Sequence, residues 1–237
     1  MSARGTLLYV GAFTAYWLLA LPLDAATTLS QQHLLGLSAW AFLGVALALQ
    51  TRAIRLQVGV LVVVATVLEV LGSIVWGAYV YRLDNLPLYV PAGHGLFYLA
   101  ALRLAALPML VRRARAVVLT VSAGAVAWMF WNILVPPLPD LLGFVLCAVF
   151  LRFIVLGRYP LLYAVSFVMT MALEMYGTAF GIWRWAPVLP GLMLPAANPP
   201  ACIGAGYAAM DALTRRIVRR LERAPAAVAA PDPAASA

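Results

Sequence analysis

Eight long apolar stretches, separated by short polar or proline-containing segments, dominate the sequence and constrain its fold. Each is long enough, or nearly so, to cross the roughly 30 Å hydrocarbon core of a bilayer as an α-helix. Only 10% of the residues are charged, against about 25% in an average soluble domain, so the polar surface is too small for a water-soluble fold. The sequence therefore predicts an all-α polytopic membrane protein and excludes a soluble enzyme or a nucleic-acid-binding module.

The bounds of the predicted spans follow from the continuous apolar runs, which lack the period-two alternation of transmembrane strands. The eight spans are 6–23, 33–49, 56–81, 89–110, 117–135, 138–156, 159–185 and 192–213. Seven helices are the alternative, because Arg4, the apolar run after it and Asp24-Ala25-Ala26 also fit a cleaved signal peptide. Residues 224–237, almost wholly Ala, Pro, Asp and Ser, predict a disordered tail.

The arginines are distributed asymmetrically along the chain. All 16 basic residues are Arg, and only Arg82 and Arg184 lie in the loops that alternate with the Arg-rich ones, while Arg103 lies within a span. This pattern follows the positive-inside rule for short loops, so we interpret the net charge of +8 as a topology signal and not as a nucleic-acid patch. We predict a multi-pass cell-membrane protein with both termini cytoplasmic and the lipid bilayer as its partner, and its oligomeric state is left open.

A repeated motif divides the chain into two halves. Residues 69–81 and 174–185 both read Glu-x-x-Gly followed by aromatic-Gly-x-aromatic-x-aromatic. The offset between the copies is 105 residues at the glutamates and 104 residues at Pro91 and Pro195 further on. This agreement predicts a duplication, with one four-helix repeat over 1–115 and a second over 116–223. Since four helices per unit give both copies the same orientation, the repeats would be parallel and related by a pseudo-twofold axis along the membrane normal.

Glu69 and Glu174 are the only glutamates within the apolar spans. An ionisable side chain in hydrocarbon is costly and is a functional candidate by default. At 1.5 Å per helical residue, Glu69 would lie roughly 18 Å and Arg103 roughly 21 Å from the outer interface, so we predict that they pair. This pairing would leave Glu174 protonated and make it the better acid. A structural hydrogen bond for each glutamate, and a snorkelling Arg103, are the alternatives.

The predicted catalytic residues are Glu174, Glu69 and His94. His94 is included because an imidazole can exchange a proton near neutral pH. Its counterpart in the second repeat, Asn198, cannot titrate. The predicted substrate-binding residues are Arg103, Asn198, Trp76, Tyr79, Tyr98 and Trp183. The aromatic members also fit an interfacial belt, whereas aromatic faces near the glutamates could bind an apolar or cationic species. The scattered Glu, His and Asp residues offer no convergent ligand set, so we predict neither a metal nor a cofactor.

The segment from Glu69 to Pro91 resembles a pattern of integral-membrane carotenoid-biosynthesis proteins, namely Glu-x-x-Gly, aromatic-Gly-x-Tyr-x-Tyr and Pro-Leu-x-x-Pro. That group includes carotenoid hydratases, and polytopic lycopene cyclases and membrane terpene cyclases are of comparable size. This chain departs from the group by carrying the motif twice, and it lacks the acidic signatures of the two cyclase families. The resemblance implies an enzyme that protonates a double bond of an isoprenoid or carotenoid-type lipid, by cyclisation or hydration, with Glu69 and Glu174 as the positions that carry over.

The residues leave a second function open. A small membrane transporter or assembly subunit could use Glu69, Glu174 and Arg103 to bind a substrate or a proton while the two repeats move. Parallel repeats favour transport, whereas the resemblance and the small size of the chain favour an enzyme with an apolar isoprenoid-like substrate.

Overall fold

The computed structural model describes residues 2–136 and 138–223, and within them the chain is mainly helical. Its elements are α1 Ala3–Ala25, α2 Leu29–Ala48, α3 Arg52–Glu69, β1 Tyr79–Tyr81, α4 Tyr89–Ala105, α5 Pro108–Arg112, α6 Ala114–Leu134, α7 Leu141–Leu156, α8 Pro160–Ala179, β2 Trp183–Trp185 and α9 Ala205–Arg223. A π-helical turn, Val70–Val75, continues α3. The predicted helical class is confirmed, and the predicted tail, 224–237, lies outside the described residues.

Four of these helices are long and apolar enough to cross a membrane. They are Ala3–Ala25, Arg52–Val75, Ala114–Leu134 and Pro160–Ala179. Large apolar side chains on the outside of the bundle are strongly exposed, and Leu134 and Val155 each have 76% of their surface accessible. Water disfavours so much contiguous apolar surface, whereas lipid chains do not. These helices therefore indicate a membrane protein.

The centre of the bundle is formed by α3, α4, α8 and α9. Helix α3 packs against α4 and α9, and α8 packs against the same two helices. Helices α1 and α2 pack on the outside of α4, while α6 packs on α8 and α7 packs on both α8 and α9. Buried residues occupy every face of α4 over its middle turns, where Leu96, Leu99 and Ala100 have no accessible surface. Any site between these four helices is consequently bordered by the buried faces of α4.

The predicted spans 56–81 and 159–185 are not helical throughout. Their helices end before residues 81 and 185, so the prediction that the chain contains only helices is wrong here. Beyond Val75 and Ala179 the chain forms β1 and β2, which pair antiparallel with Tyr79 opposite Trp185 and Tyr81 opposite Trp183. A glycine in the left-handed region precedes each strand, with φ of 70° at Gly77 and 68° at Gly181. Glycine adopts this conformation at little cost, so the chain can reverse there and fold over the bundle end.

Prolines shift two further helix bounds. The fourth span was expected to reach Leu110, but α4 ends at Ala105 and α5 starts afresh at Pro108. The eighth span was expected from residue 192, but α9 begins only at Ala205. Residues 187–204 form an irregular loop that contains Pro195, Pro199 and Pro200, which have no backbone N–H for a helical hydrogen bond.

Candidate functional site

A cavity of about 320 Å³ lies between the four central helices and is lined at one end by side chains of β1 and β2. Most of its lining is aliphatic or aromatic. Its acidic and basic groups are the carboxyl groups of Glu69 and Glu174 and the imidazole of His94. A largely apolar cavity with a few converging polar groups is the usual form of a small-molecule site.

Glu69, the last residue of α3, is held by three side chains. Its Oε2 atom accepts hydrogen bonds from the hydroxyls of Tyr79 and Tyr81, each at 2.7 Å. Its Oε1 atom lies 2.8 Å from Nε2 of His94. The Nδ1 atom of His94 lies 2.6 Å from the hydroxyl of Tyr207 in α9. We assign the imidazole N–H to Nε2, because that nitrogen faces a carboxylate, and Nδ1 then accepts from Tyr207.

Glu174, in α8, is held by two indoles. Its Oε2 atom accepts from Nε1 of Trp183 at 2.8 Å and from Nε1 of Trp185 at 3.1 Å. In the part of the chain that the structure describes, no basic side chain contacts this carboxyl group, and Oε1 receives no hydrogen bond. Glu174 thus lines the cavity with Oε2 accepting two hydrogen bonds and Oε1 accepting none from the described residues.

The glycine of each Glu-x-x-Gly motif makes room for an aromatic side chain of the following strand. A Cβ atom on Gly177 would lie 2.0 Å from the ring of Trp183, and one on Gly72 would lie 3.0 Å from the ring of Tyr79. Residues three apart share one face of a helix. The glycine therefore lets the strand residue lie flat on that face and reach the glutamate one turn earlier.

Five of the predicted site residues line the cavity and four do not. Glu69, Glu174, His94, Tyr79 and Trp183 line it, whereas Arg103, Asn198, Trp76 and Tyr98 are absent from its lining.

The expected Glu69–Arg103 pair is wrong, because His94 occupies the position beside Glu69. Arg103 lies nine residues after His94 in α4, roughly 13 Å further along the helix axis, and donates to the side chain of Gln50. Glu69 does not lie at the expected depth, because α3 does not continue to Tyr81. The chain turns back after Val75, so Glu69 lies nearer the strand end of the bundle than twelve helical residues would put it.

The other three residues hold the scaffold around the cavity. Asn198 accepts a hydrogen bond from the backbone N–H of Trp185 at 3.0 Å, which ties the long loop to β2. The indole of Trp76 donates to the carbonyl of Pro190 at 2.8 Å. Tyr98 donates to Asp211, so it links α4 to α9.

Sequence reasoning missed Tyr81, Trp185 and Tyr207. Tyr81 and Trp185 could have been found from the sequence, because aromatic residues two apart point to the same side of a strand. Neither is among the predicted site residues, because both segments were expected to be helical. Nothing in the sequence predicts that Tyr207 meets His94.

A second buried polar cluster braces the same end of the bundle. Asp24 at the end of α1 is fully buried and accepts from Gln32 at 3.0 Å and from Tyr89 at 2.9 Å. The guanidinium of Arg82 lies 3.8 Å from the Asp24 carboxylate and donates to the Asp24 carbonyl at 2.5 Å. These contacts fix the start of α4, and with it the position of His94, against α1 and α2.

Comparison with known proteins gives no relative. No family model matches the sequence, and no curated protein or solved structure is significantly similar to it.

Proposed function

We propose that the protein is an integral membrane enzyme that protonates a double bond of an isoprenoid or carotenoid-type lipid, with cyclisation or hydration as the outcome. The observation that carries the proposal is that two partly buried carboxyl groups, Glu69 and Glu174, face one cavity that is otherwise mostly apolar and aromatic. The two carboxyl groups differ in their partners, which is the usual arrangement for an acid and a base in one site. The resemblance of residues 69–91 to carotenoid-biosynthesis proteins supports the same chemistry.

The cavity size limits how much of a substrate can enter. A water molecule takes up about 30 Å³, so the cavity has room for about ten non-hydrogen atoms, roughly two isoprene units. One end of an isoprenoid chain would therefore lie in the cavity, and the remainder would extend between the helices into the bilayer. A terminal double bond would then lie between the two glutamates.

Glu174 is the proton donor in this mechanism. With no basic group beside it among the described residues, its neutral form avoids burying an unpaired charge. Its proton passes to one carbon of the double bond, and the π electron pair forms the new C–H bond. The positive charge left on the neighbouring carbon is stabilised by the aromatic faces of Tyr79, Trp183 and Trp185.

Glu69 and His94 take up the proton that is released. In hydration, a water oxygen bonds to the cationic carbon and loses a proton to the Glu69 carboxylate. In cyclisation, the electron pair of a second double bond forms a C–C bond, and an adjacent C–H then loses its proton to Glu69. The hydrogen bonds from Tyr79 and Tyr81 stabilise the ionised carboxylate before this step.

The membrane arrangement is part of the proposal. The proposal includes eight spans, cytoplasmic termini and two parallel repeats, over 1–115 and 116–223. Three observations support the repeats. The equivalent strands β1 and β2 pair about their middle residues Val80 and Arg184, each glutamate bonds the aromatic residues of its own strand, and the α3–α9 contact mirrors the α8–α4 contact. Reporter fusions after Leu86 and Leu192 should be active outside the cell, and one after Arg113 inside. Loss of an N-terminal tag from the mature protein by cleavage favours seven spans.

Lipid analysis of a deletion strain tests the function. Strains complemented with the wild type, with Glu174→Gln or with Glu222→Gln should be compared by mass spectrometry. We expect the deletion and the Glu174→Gln strain to accumulate an isoprenoid that is an isomer of the wild-type product, or that differs from it by one water. Glu222 is exposed at the end of α9, so its variant is the matched control. Unchanged lipids in the deletion strain contradict the proposal.

A transporter or assembly subunit is the second candidate. Two observations favour it. Elements of both halves line one cavity, and β1 and β2 join the halves at one end of it. Separation of the two halves would therefore open the cavity. Loss of a substrate gradient in the deletion strain, together with unchanged isoprenoids, selects this function over the enzyme.

A further inference from the structure

A second cavity, of about 500 Å³, lies at the opposite, arginine-rich end of the bundle. It is bordered by the end of α4, the start of α6, the end of α7 and the start of α8. Its lining combines two arginines with apolar side chains, among them Arg115, Arg158, Val118, Leu119, Ile154 and Leu161. It shares no lining residue with the cavity that holds the glutamates. An inference drawn from it therefore stands apart from the proposed enzyme activity.

The two guanidinium groups of this cavity lack an acidic partner among the residues that the structure describes. Arg115 and Arg158 are exposed, and neither takes part in an ion pair among residues 2–136 and 138–223. The nearby carboxylate of Asp211 is already bonded to Arg215 at 2.8 Å. The guanidinium of Arg215 in turn lies over the ring of Tyr159, 3.9 Å from its centroid, at the rim of the cavity. An anion that balances Arg115 and Arg158 is therefore not supplied by residues 2–136 or 138–223.

The rest of the lining indicates what kind of anion fits. Apart from the arginines the lining is mostly apolar, with Val118 and Leu119 on α6 and Leu161 on α8. A free inorganic anion would gain nothing from these apolar side chains, whereas acyl chains would bury them. Guanidinium groups match the oxygens of a phosphate, and basic pockets between membrane helices bind anionic headgroups. We propose that this cavity binds an anionic glycerophospholipid, with its phosphate at Arg115 and Arg158 and its acyl chains along α6 and α8.

Native mass spectrometry of the purified full-length protein in detergent tests this inference. The probes are phosphatidylglycerol, phosphatidylcholine with the same acyl chains, and inorganic phosphate. We expect phosphatidylglycerol to occupy one site about tenfold more tightly than phosphatidylcholine, and phosphate not to compete for it. The variant Arg115→Gln with Arg158→Gln should weaken the phosphatidylglycerol site about thirtyfold, at about fivefold for each arginine.

A charge-matched control separates a built site from general attraction. Arg216→Gln with Arg219→Gln removes the same charge from exposed positions of α9 that do not line the cavity. The inference is overturned if this control weakens binding as much as the cavity variant does. It is also overturned if phosphatidylcholine binds equally well or if phosphate displaces the lipid. Glu174→Gln should leave lipid binding unchanged, so a failure here is distinguishable from a failure of the proposed enzyme.

Discussion

Glu69 and Glu174 are held by the same backbone arrangement but have different hydrogen-bond partners. In both, one carboxylate oxygen accepts from two aromatic side chains that lie two residues apart on a short strand. The donors are phenols at Glu69 and indoles at Glu174. A phenol can both donate and accept a hydrogen bond, whereas an indole N–H only donates. Only Glu69 also has an imidazole beside it, and that imidazole contacts Tyr207.

This difference shows how one backbone arrangement can support two protonation roles. The Glu69 surroundings contain a continuous series of groups that exchange protons, from the carboxylate through His94 to Tyr207. The Glu174 surroundings contain donors that hold the carboxyl group but cannot carry its proton away. The acid would therefore deliver its proton to a substrate and not to its own neighbours. Four sets of variants test this contrast.

The largest expected effect is that of Glu174→Gln on activity. General acid catalysis contributes about 10²-fold to 10⁴-fold, and we expect a loss of that order in product formation by membranes. The glutamine can still accept from both indoles through its carbonyl oxygen, so thermal unfolding in detergent should be nearly unchanged. An active and stable Glu174→Gln protein removes the acid from the proposed mechanism.

His94→Asn tests the partner of Glu69, and it places at residue 94 the side chain found at 198. Loss of the imidazole leaves a buried carboxylate with only two phenol donors, at a cost of about 1–3 kcal/mol in the free energy of unfolding. The double variant with Glu69→Gln should recover part of this loss, with a coupling energy of about 0.5–3 kcal/mol. Chemical denaturation of the single and double variants in detergent measures it. Strictly additive losses contradict the pairing.

Gly177→Ala and Gly72→Ala compare the two halves through packing. The new methyl group at 177 would collide with the Trp183 ring at 2.0 Å, whereas at 72 it would meet the Tyr79 ring at 3.0 Å. We expect destabilisation of about 1–3 kcal/mol at 177, from overpacking, and a smaller change at 72. Gly124→Ala is the control, because a methyl group there meets nothing within 4 Å. Equal thermal shifts at 72 and 177 refute the described strand packing.

The smallest effects are expected when single donors are removed. Tyr81→Phe takes one of three partners from Glu69, and Trp185→Phe takes one of two from Glu174. Each should cost about 0.5–1.5 kcal/mol of stability. We expect Tyr81→Phe to reduce activity more, because a phenol bond stabilises the ionised base. The ratio of the two activities, measured on membranes with equal protein content, sharpens or reverses the assignment of acid and base.

Much of this organisation follows from simple sequence rules. Apolar runs predicted the helices, and the scarcity of intramembrane carboxyl groups singled out Glu69 and Glu174. The strands could not be predicted in this way, because a tripeptide such as Tyr79–Tyr81 is as apolar as a helix end. Gly77 and Gly181 belong to the repeated motif, but only their positive φ angles reveal the chain reversal. The mistaken Arg103 partner was a consequence of the same helical assumption.

The π-helical turn of α3 bears on the history of the chain. Under the proposed duplication, the change in offset from 105 to 104 residues means that the first copy has one more residue between its glutamate and its strand. A π turn is the form in which a helix absorbs a single inserted residue, and Val70–Val75 lies in that interval, whereas α8 continues as a regular α-helix. Under that duplication, the extra residue is accommodated inside the helix and leaves the strand register intact. A slip of one residue in β1 would turn Val80 toward Glu69 in place of the aromatic donors.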